Sequence, residues 1–181
     1  IDDIVVCNGD FINNIEFTST TQGGETTYEW VATGDDIGLD QTDDGSGLIS
    51  GFTADNLTSE PLITSITVTP TFTNGGVSSE GDPLTFTITV NPTAQVDPED
   101  SLDLCNGDTA VVDFTTSNGG VDSVTTYSWE ITDGDSVFAS AALTGAGNIN
   151  LPVANDTNAD LVATVTVTPT YTNDGVDCTG P

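Results

Sequence analysis

Residues 6–10 read VCNGD and residues 104–108 read LCNGD, so a thiol, an Asn-Gly pair and a carboxylate occur twice at the same spacing. Two chemistries fit that grouping: a reactive cysteine with an acidic neighbour, or part of a metal site. A reactive cysteine needs a cation or a base beside it to favour the thiolate. The chain of 181 residues has 29 acidic side chains and no Lys, Arg or His, for a formal charge of -29. Its side-chain charges are all negative and hold a thiol in its protonated form. The same absence rules out Ser-His-Asp and Cys-His catalysis, lysine Schiff bases and histidine-bound zinc. Nucleic acid is excluded as a partner because backbone phosphates are held mainly by Lys and Arg, and anionic membranes are excluded for the same reason. What remains for CNGD is a turn, with Asn8 and Gly9 setting its geometry and Asp10, or Asp108 in the second copy, capping it.

The acidic loops raise a cation question. DQTDDG, residues 40–45, has the oxygen-ligand spacing and glycine that open an EF-hand loop, yet Gly51 stands where the twelfth-position bidentate acid belongs. A looser calcium site is the remaining expectation, built from Asp35, Asp36, Asp40 and Asp44, or at the junction from Asp97, Glu99, Asp100 and Asp103. Set against it is a solvated acidic surface that only gathers counter-ions. No other cofactor is implied. The carboxylate pairs Asp35/Asp36 and Asp133/Asp135 have the residue type of a glycosidase, but no insertion long enough to form a cleft accompanies them. The reading is non-catalytic.

The elements that carry these residues are short strands. In Ile66-Thr67-Val68-Thr69 apolar and hydroxyl side chains alternate, as a half-buried strand requires. Seven Phe, three Tyr and two Trp fall inside such segments. The fold class is all-β. No apolar run reaches the roughly 18 residues of a membrane span, and no segment resembles a signal peptide; the abrupt start IDDIVV reads as a mature or excised portion of a longer protein.

The chain is also repeated. Cys7 and Cys105 are 98 residues apart, Tyr28 and Trp30 return as Tyr127 and Trp129, and ITVTPTFTNGGV from Ile66 returns as VTVTPTYTNDGV from Val165. Gly45-Ser46-Gly47 matches Gly145-Ala146-Gly147, and NLTS at 56 matches NDTN at 155. Two modules follow, residues 1–92 and 93–181. In the first, strands are expected near 4–6, 14–18, 26–32, 48–53, 62–72 and 84–90. About seven short strands in under 100 residues is the pattern of an immunoglobulin-like sandwich. Trp30 and Trp129 are the core aromatics. The segment 90–100, with Pro92 and Pro98, reads as a short semi-rigid connection. The second copy has no counterpart of LTFTITV, and a sandwich without that strand has an open sheet edge. Either the array continues past residue 181 or a neighbouring chain donates the strand.

CNGD, TTYSW followed by an acidic Gly turn, ITVTPT and PLTFTITVNPT together resemble the PKD-like tandem repeats of very large cell-surface adhesins of the Bacteroidota, including the gliding-motility filament. The classical signature, a Trp strand leading into Phe-Gly-Asp-Gly, survives only as YEWVATGDD and YSWEITDGD, a departure that makes the likeness PKD-like. The resemblance implies two PKD-like sandwiches, an outer-surface location reached by type IX secretion, and service as stalk or adhesive modules. The implied partners are neighbouring repeats of the same polypeptide, other filament proteins and surface glycans. It also implies a disulfide between Cys105 and Cys178, closing a loop of roughly 70 residues for about 4 kcal/mol; Ser79 stands at the matching place in the first copy, which leaves Cys7 unpaired within its module. Proteins of this group are glycosylated on Asp-Ser/Thr-apolar triplets, making Ser101, Thr109, Ser123 and Ser136 acceptors. The rival reading is a carbohydrate-binding module of a secreted polysaccharide-degrading enzyme, which requires exposed aromatics in a row.

Overall fold

The computed structural model describes residues 1–39, 44–138 and 143–181. It is all-β, without an α-helix among those residues. The chain divides into two compact units, Ile1–Pro92 and Thr93–Pro181.

The first unit contains β1 (Ile4–Cys7), β2 (Phe11–Ile12), β3 (Glu25–Gly34), β4 (Asp44–Ser46), β5 (Phe52–Thr53), β6 (Leu62–Asn74), β7 (Val77–Glu80) and β8 (Leu84–Asn91). Its larger sheet runs in the order β1-β8-β6-β3-β4, with β7 also paired to β6. The organising element is β6, rich in Thr, Ile, Val and Phe, residues that suit a pleated half-buried surface. One side of β6 pairs with β3 along its length, from Glu25↔Thr73 to Gly34↔Thr64. The other side is shared: β8 covers Leu62 to Val68 and β7 covers Thr71 to Asn74. At the corner between them the Gly81 N–H donates to the Pro70 carbonyl at 2.8 Å.

Period-2 alternation sends Trp30, Ala32, Ile66, Val68, Phe86, Ile88 and Val90 to one face of this sheet. Against that face lies a smaller layer, the β2-β5 pair and the Ile15↔Ile49 bridge, which contributes Ile12, Ile15, Ile49, Phe52 and Ala54. The result is one sandwich core. The strand expected near 14–18 is reduced to the bridge at Ile15, with pairing at Phe11–Ile12 before it; the one expected near 48–53 is present in part, as the Ile49 bridge and Phe52–Thr53, and Asp44–Ser46 is an additional short strand. This thin layer is held by side chains more than by a ladder, so local alternation locates it only in part.

The second unit repeats the plan with β9 (Thr109–Val112), β10 (Val124–Asp133), a 3-10 turn (Asp135–Val137), β11 (Thr144–Ala146), β12 (Ile149–Pro152), β13 (Thr164–Asn173) and β14 (Val176–Thr179). Its sheets are β11-β10-β13-β14 and β9-β12. The β10–β13 register, Trp129↔Val167 and Tyr127↔Pro169, is that of Trp30↔Val68 and Tyr28↔Pro70. Residues 93–97, expected within a hinge, belong to the body of this unit: Asn118 Nδ2 donates to the Thr93 carbonyl at 3.2 Å, and the Gln95 N–H donates to Asn118 Oδ1 at 2.6 Å.

In both units the cross-strand neighbour of the tryptophan is a glycine, Trp30↔Gly45 and Trp129↔Gly145. A Cβ at either glycine would fall inside the indole ring system. Gly45→Ala and Gly145→Ala are therefore expected to destabilise their own unit by about 1–3 kcal/mol through overpacking, read from the denaturant midpoint.

The N-terminal strand adds a pH dependence. The Thr87 N–H donates to Asp3 Oδ1 at 2.6 Å, and this bond holds the Asp3 carboxyl below its ordinary value of 3.8. A lowered folded value means that the contribution is complete above pH 3.8 and is lost as pH falls through the lower folded value. Amide exchange of β1, normalised to β6, is expected to rise over that acidic range in the native chain and to be flat in Asp3→Asn.

Candidate functional site

The two CNGD segments are turns of the same construction. Gly9 and Gly107 have φ +88, the left-handed region that glycine enters without strain. Asp10 Oδ2 accepts the Cys7 N–H at 2.9 Å, and Asp108 Oδ2 accepts the Cys105 N–H at 2.8 Å. Both carboxylates are spent on their own turn.

Each turn is latched by an asparagine that lies 48 or 49 residues further along the chain. The Asn56 N–H donates to Asn8 Oδ1 at 2.8 Å, and the Asn155 N–H donates to Asn106 Oδ1 at 2.9 Å. Asn56 and Asn155 then organise their own loops: Thr58 Oγ1 donates to Asn56 Oδ1 at 2.8 Å, and Thr157 Oγ1 to Asn155 Oδ1 at 2.7 Å. These latches were not singled out from the sequence, although the NLTS/NDTN echo marks them.

The cysteines are arranged otherwise than expected. Cys7 and Cys178 are the disulfide-bonded pair, and Cys105 is a free, exposed thiol. The expected Cys105–Cys178 bond and an unpaired Cys7 are both corrected. Strand register gives the reason. In the first unit Cys7 lies beside Asn91, next to the Val90↔Leu62 pair, whereas Ser79, the counterpart of Cys178, lies opposite Phe72. Ten residues of β6 separate those places, roughly 33 Å at the rise of a strand, and a disulfide needs Cα atoms within about 7 Å. Cys178 sits likewise opposite Tyr171 on β14, in a strand and not in a turn. The CNGD turn and the hairpin cysteine thus belong to opposite ends of a module, and no module can close the bond on itself.

Both bonded cysteines stand next to the segment that joins the units. Cys7 is in register with Asn91, and in the second unit Gly180 packs on Ala94.

Of the acids expected to hold calcium, those among the described residues do not form one group. Asp35 Oδ2 accepts the Ile63 N–H at 2.8 Å, and Asp36 Oδ1 accepts the Gly38 N–H at 3.1 Å. Asp40 and the side chain of Asp44 lie outside the described residues. At the junction Asp97 Oδ2 accepts from Thr115 Oγ1 at 2.8 Å, while Glu99, Asp100 and Asp103 are exposed. Among the described residues no three acidic or cysteine side chains gather as a metal would require.

Of the expected glycan acceptors, Ser101, Thr109 and Ser136 are exposed, while Ser123 Oγ is directed at the carbonyls of Gly119 and Gly120 at 3.2 and 3.0 Å. Trp30 and Trp129 are 1% and 7% exposed and lie in the two cores. Phe11 is the one exposed aromatic among the described residues. Burial against Phe114, at a ring separation of 5.5 Å, pushes the Tyr127 phenol above its ordinary value.

Comparison with known proteins finds no matching family model and no matching curated sequence.

Counting thiols checks the cysteine assignment. One alkylation per native chain is expected, at Cys105, and three after reduction in denaturant. Peptide mapping should place the native label on Cys105 and recover Cys7 and Cys178 as one cross-linked product. A cross-link between Cys105 and Cys178 would reverse the assignment.

Proposed function

We propose that the chain is a non-catalytic structural and adhesive repeat of a long extracellular cell-surface filament, each unit being a PKD-like sandwich. The observation that carries this reading is the ordering of residues by module end: a capped CNGD turn at one end, a hairpin cysteine at the other, and a disulfide that no single module can close. Such an arrangement suits modules joined in series. A disulfide also suits an oxidising compartment outside the cytoplasm.

Composition supports the same role. Without Lys or Arg the chain offers no trypsin-type cleavage site. Acidic surfaces repel one another over about 8 Å at physiological ionic strength, which opposes collapse of neighbouring modules. Neighbouring repeats are the first partners of such a chain, and cations or glycans are accessory to it.

The carbohydrate-module alternative needs a row of exposed aromatic rings, and here the tryptophans are interior. Antibodies raised against the chain, used in immunogold microscopy of the producing cells, are expected to decorate fibres at a distance from the outer surface. Label confined to a soluble secreted hydrolase, together with binding of the isolated chain to polysaccharide, would overturn the filament reading.

A further inference from the structure

We propose that Asn74 is a site of spontaneous covalent modification, at which the side-chain amide closes on the Gly75 nitrogen, loses ammonia and takes up water to leave aspartate or isoaspartate. The chain carries four Asn-Gly pairs: Asn8-Gly9, Asn74-Gly75, Asn106-Gly107 and Asn118-Gly119. Glycine offers the least hindered nitrogen for such a closure, so residue type alone gives all four the same chemistry. The structure separates them.

Three of the pairs are held. Closure requires the asparagine side chain to swing onto the nitrogen of the next residue, and hydrogen bonds that fix either partner oppose it. Asn8 Oδ1 accepts the Asn56 N–H at 2.8 Å, while the Gly9 N–H donates to the Ala54 carbonyl at 2.8 Å. Asn106 Oδ1 accepts the Asn155 N–H at 2.9 Å, while the Gly107 N–H donates to the Val153 carbonyl at 3.1 Å. Asn118 is fixed through both atoms of its amide: Oδ1 accepts the Gln95 N–H at 2.6 Å, and Nδ2 donates to the Thr93 carbonyl at 3.2 Å. Its glycine is anchored as well, since the Gly119 carbonyl accepts from Tyr171 Oη at 2.8 Å.

Asn74-Gly75 has none of these restraints. Among the described residues the exposed Asn74 side chain makes no hydrogen bond, and the Gly75 N–H has no acceptor. The pair opens the two-residue turn between β6 and β7, where Asn74 faces Val77 and Gly75 and Gly76 take φ +58 and +79. Left-handed values at both central positions make the tight hairpin turn that glycine favours. All four residues of β7 are exposed, so the tip opens at little cost, and opening gives the backbone the freedom that cyclisation needs. The second module lacks the site. There the counterpart is Asn173, 7% exposed and followed by Asp174, whose Cβ crowds the attacking nitrogen.

The step balances with water as its one co-reactant. The Gly75 nitrogen loses its proton to hydroxide and bonds to Asn74 Cγ; the Cγ–Nδ2 bond breaks, ammonia leaves with a proton from solvent, and a five-membered imide remains. Water then opens the imide at one of its two carbonyls. Attack at Cγ restores the ordinary main chain with an aspartate, whereas attack at the backbone carbonyl routes the main chain through Cβ. Either product adds one negative charge to the hairpin end of the first module. The second also lengthens the main chain by one carbon, which breaks the Asn74↔Val77 register beside the Thr73 Oγ1 to Ser78 Oγ bond of 2.8 Å.

The test holds the native chain in mildly alkaline buffer and follows each pair by peptide mapping, with enzymatic methylation of isoaspartate as a second readout. Conversion at Asn74 is expected to be at least about tenfold faster than at the other three pairs, whose closed hydrogen bonds protect them, and amide exchange of Val77–Glu80 is expected to rise in step with it. In denaturant the four pairs should convert at similar rates. Asn74→Gln should show neither methylation at that position nor the change in exchange. Native conversion at Asn8, Asn106 or Asn118 as fast as at Asn74, or an Asn74 that stays intact in the native chain while all four convert in denaturant, would overturn the site.

Discussion

The long antiparallel contact between β3 and β6, ten pairs, and between β10 and β13, nine pairs, is the constraint on which both modules depend. Its register puts Trp30 against Val68 and Trp129 against Val167. Because side chains alternate, a slip of one residue would turn each tryptophan to solvent and the acidic neighbours Glu29 and Glu130 inward. Gly45 and Gly145 belong to the same constraint, as they leave the next strand room for the indole. Once this pairing is fixed, every other strand has a set distance from each module end.

That distance explains what could and could not be read from residues alone. The duplication, the all-β class, the long strands and the buried tryptophans were legible because alternation and repetition are local signals. The thin opposing layer was legible only in part: Phe52–Thr53 falls within the strand expected near 48–53, whereas Phe11–Ile12 is too short to alternate and was missed. The short strand Val77–Glu80 also escaped, as all four of its residues are exposed and leave no apolar trace. The cysteine pairing failed for a deeper reason. Similar position in a repeat says nothing of which end of the sandwich a residue occupies, and only the β6 register separates Cys7 from Ser79. The turn role of CNGD, by contrast, followed from Asn-Gly chemistry and the missing cations.

With no Lys, Arg or His, the modules cannot use side-chain ion pairs, and their polar order is built from Asp, Asn and Thr acting on backbone groups. Asp10 and Asp108 cap turns, Asn56 and Asn155 organise loops, and Asp35 anchors the start of β6 through the Ile63 N–H. These bonds are short-ranged and largely indifferent to salt, so each module settles its polar groups without help from neighbours. The exposed acids are then free to serve as a uniform repulsive coat.

The Cys7–Cys178 bond also decides where a pull on the chain would be felt. The covalent path from residue 1 to residue 181 crosses the sulfur bridge through residues 1–7 and 178–181, and residues 8–177 lie on a covalent detour. A pull is still felt by the strands that hold those two segments, β8 beside β1 and β13 beside β14. What the bridge limits is length: the extension available between Cys7 and Cys178 is set by the redox state of one bond. A reductant, and not a stronger pull, would bring the detour into the line of force.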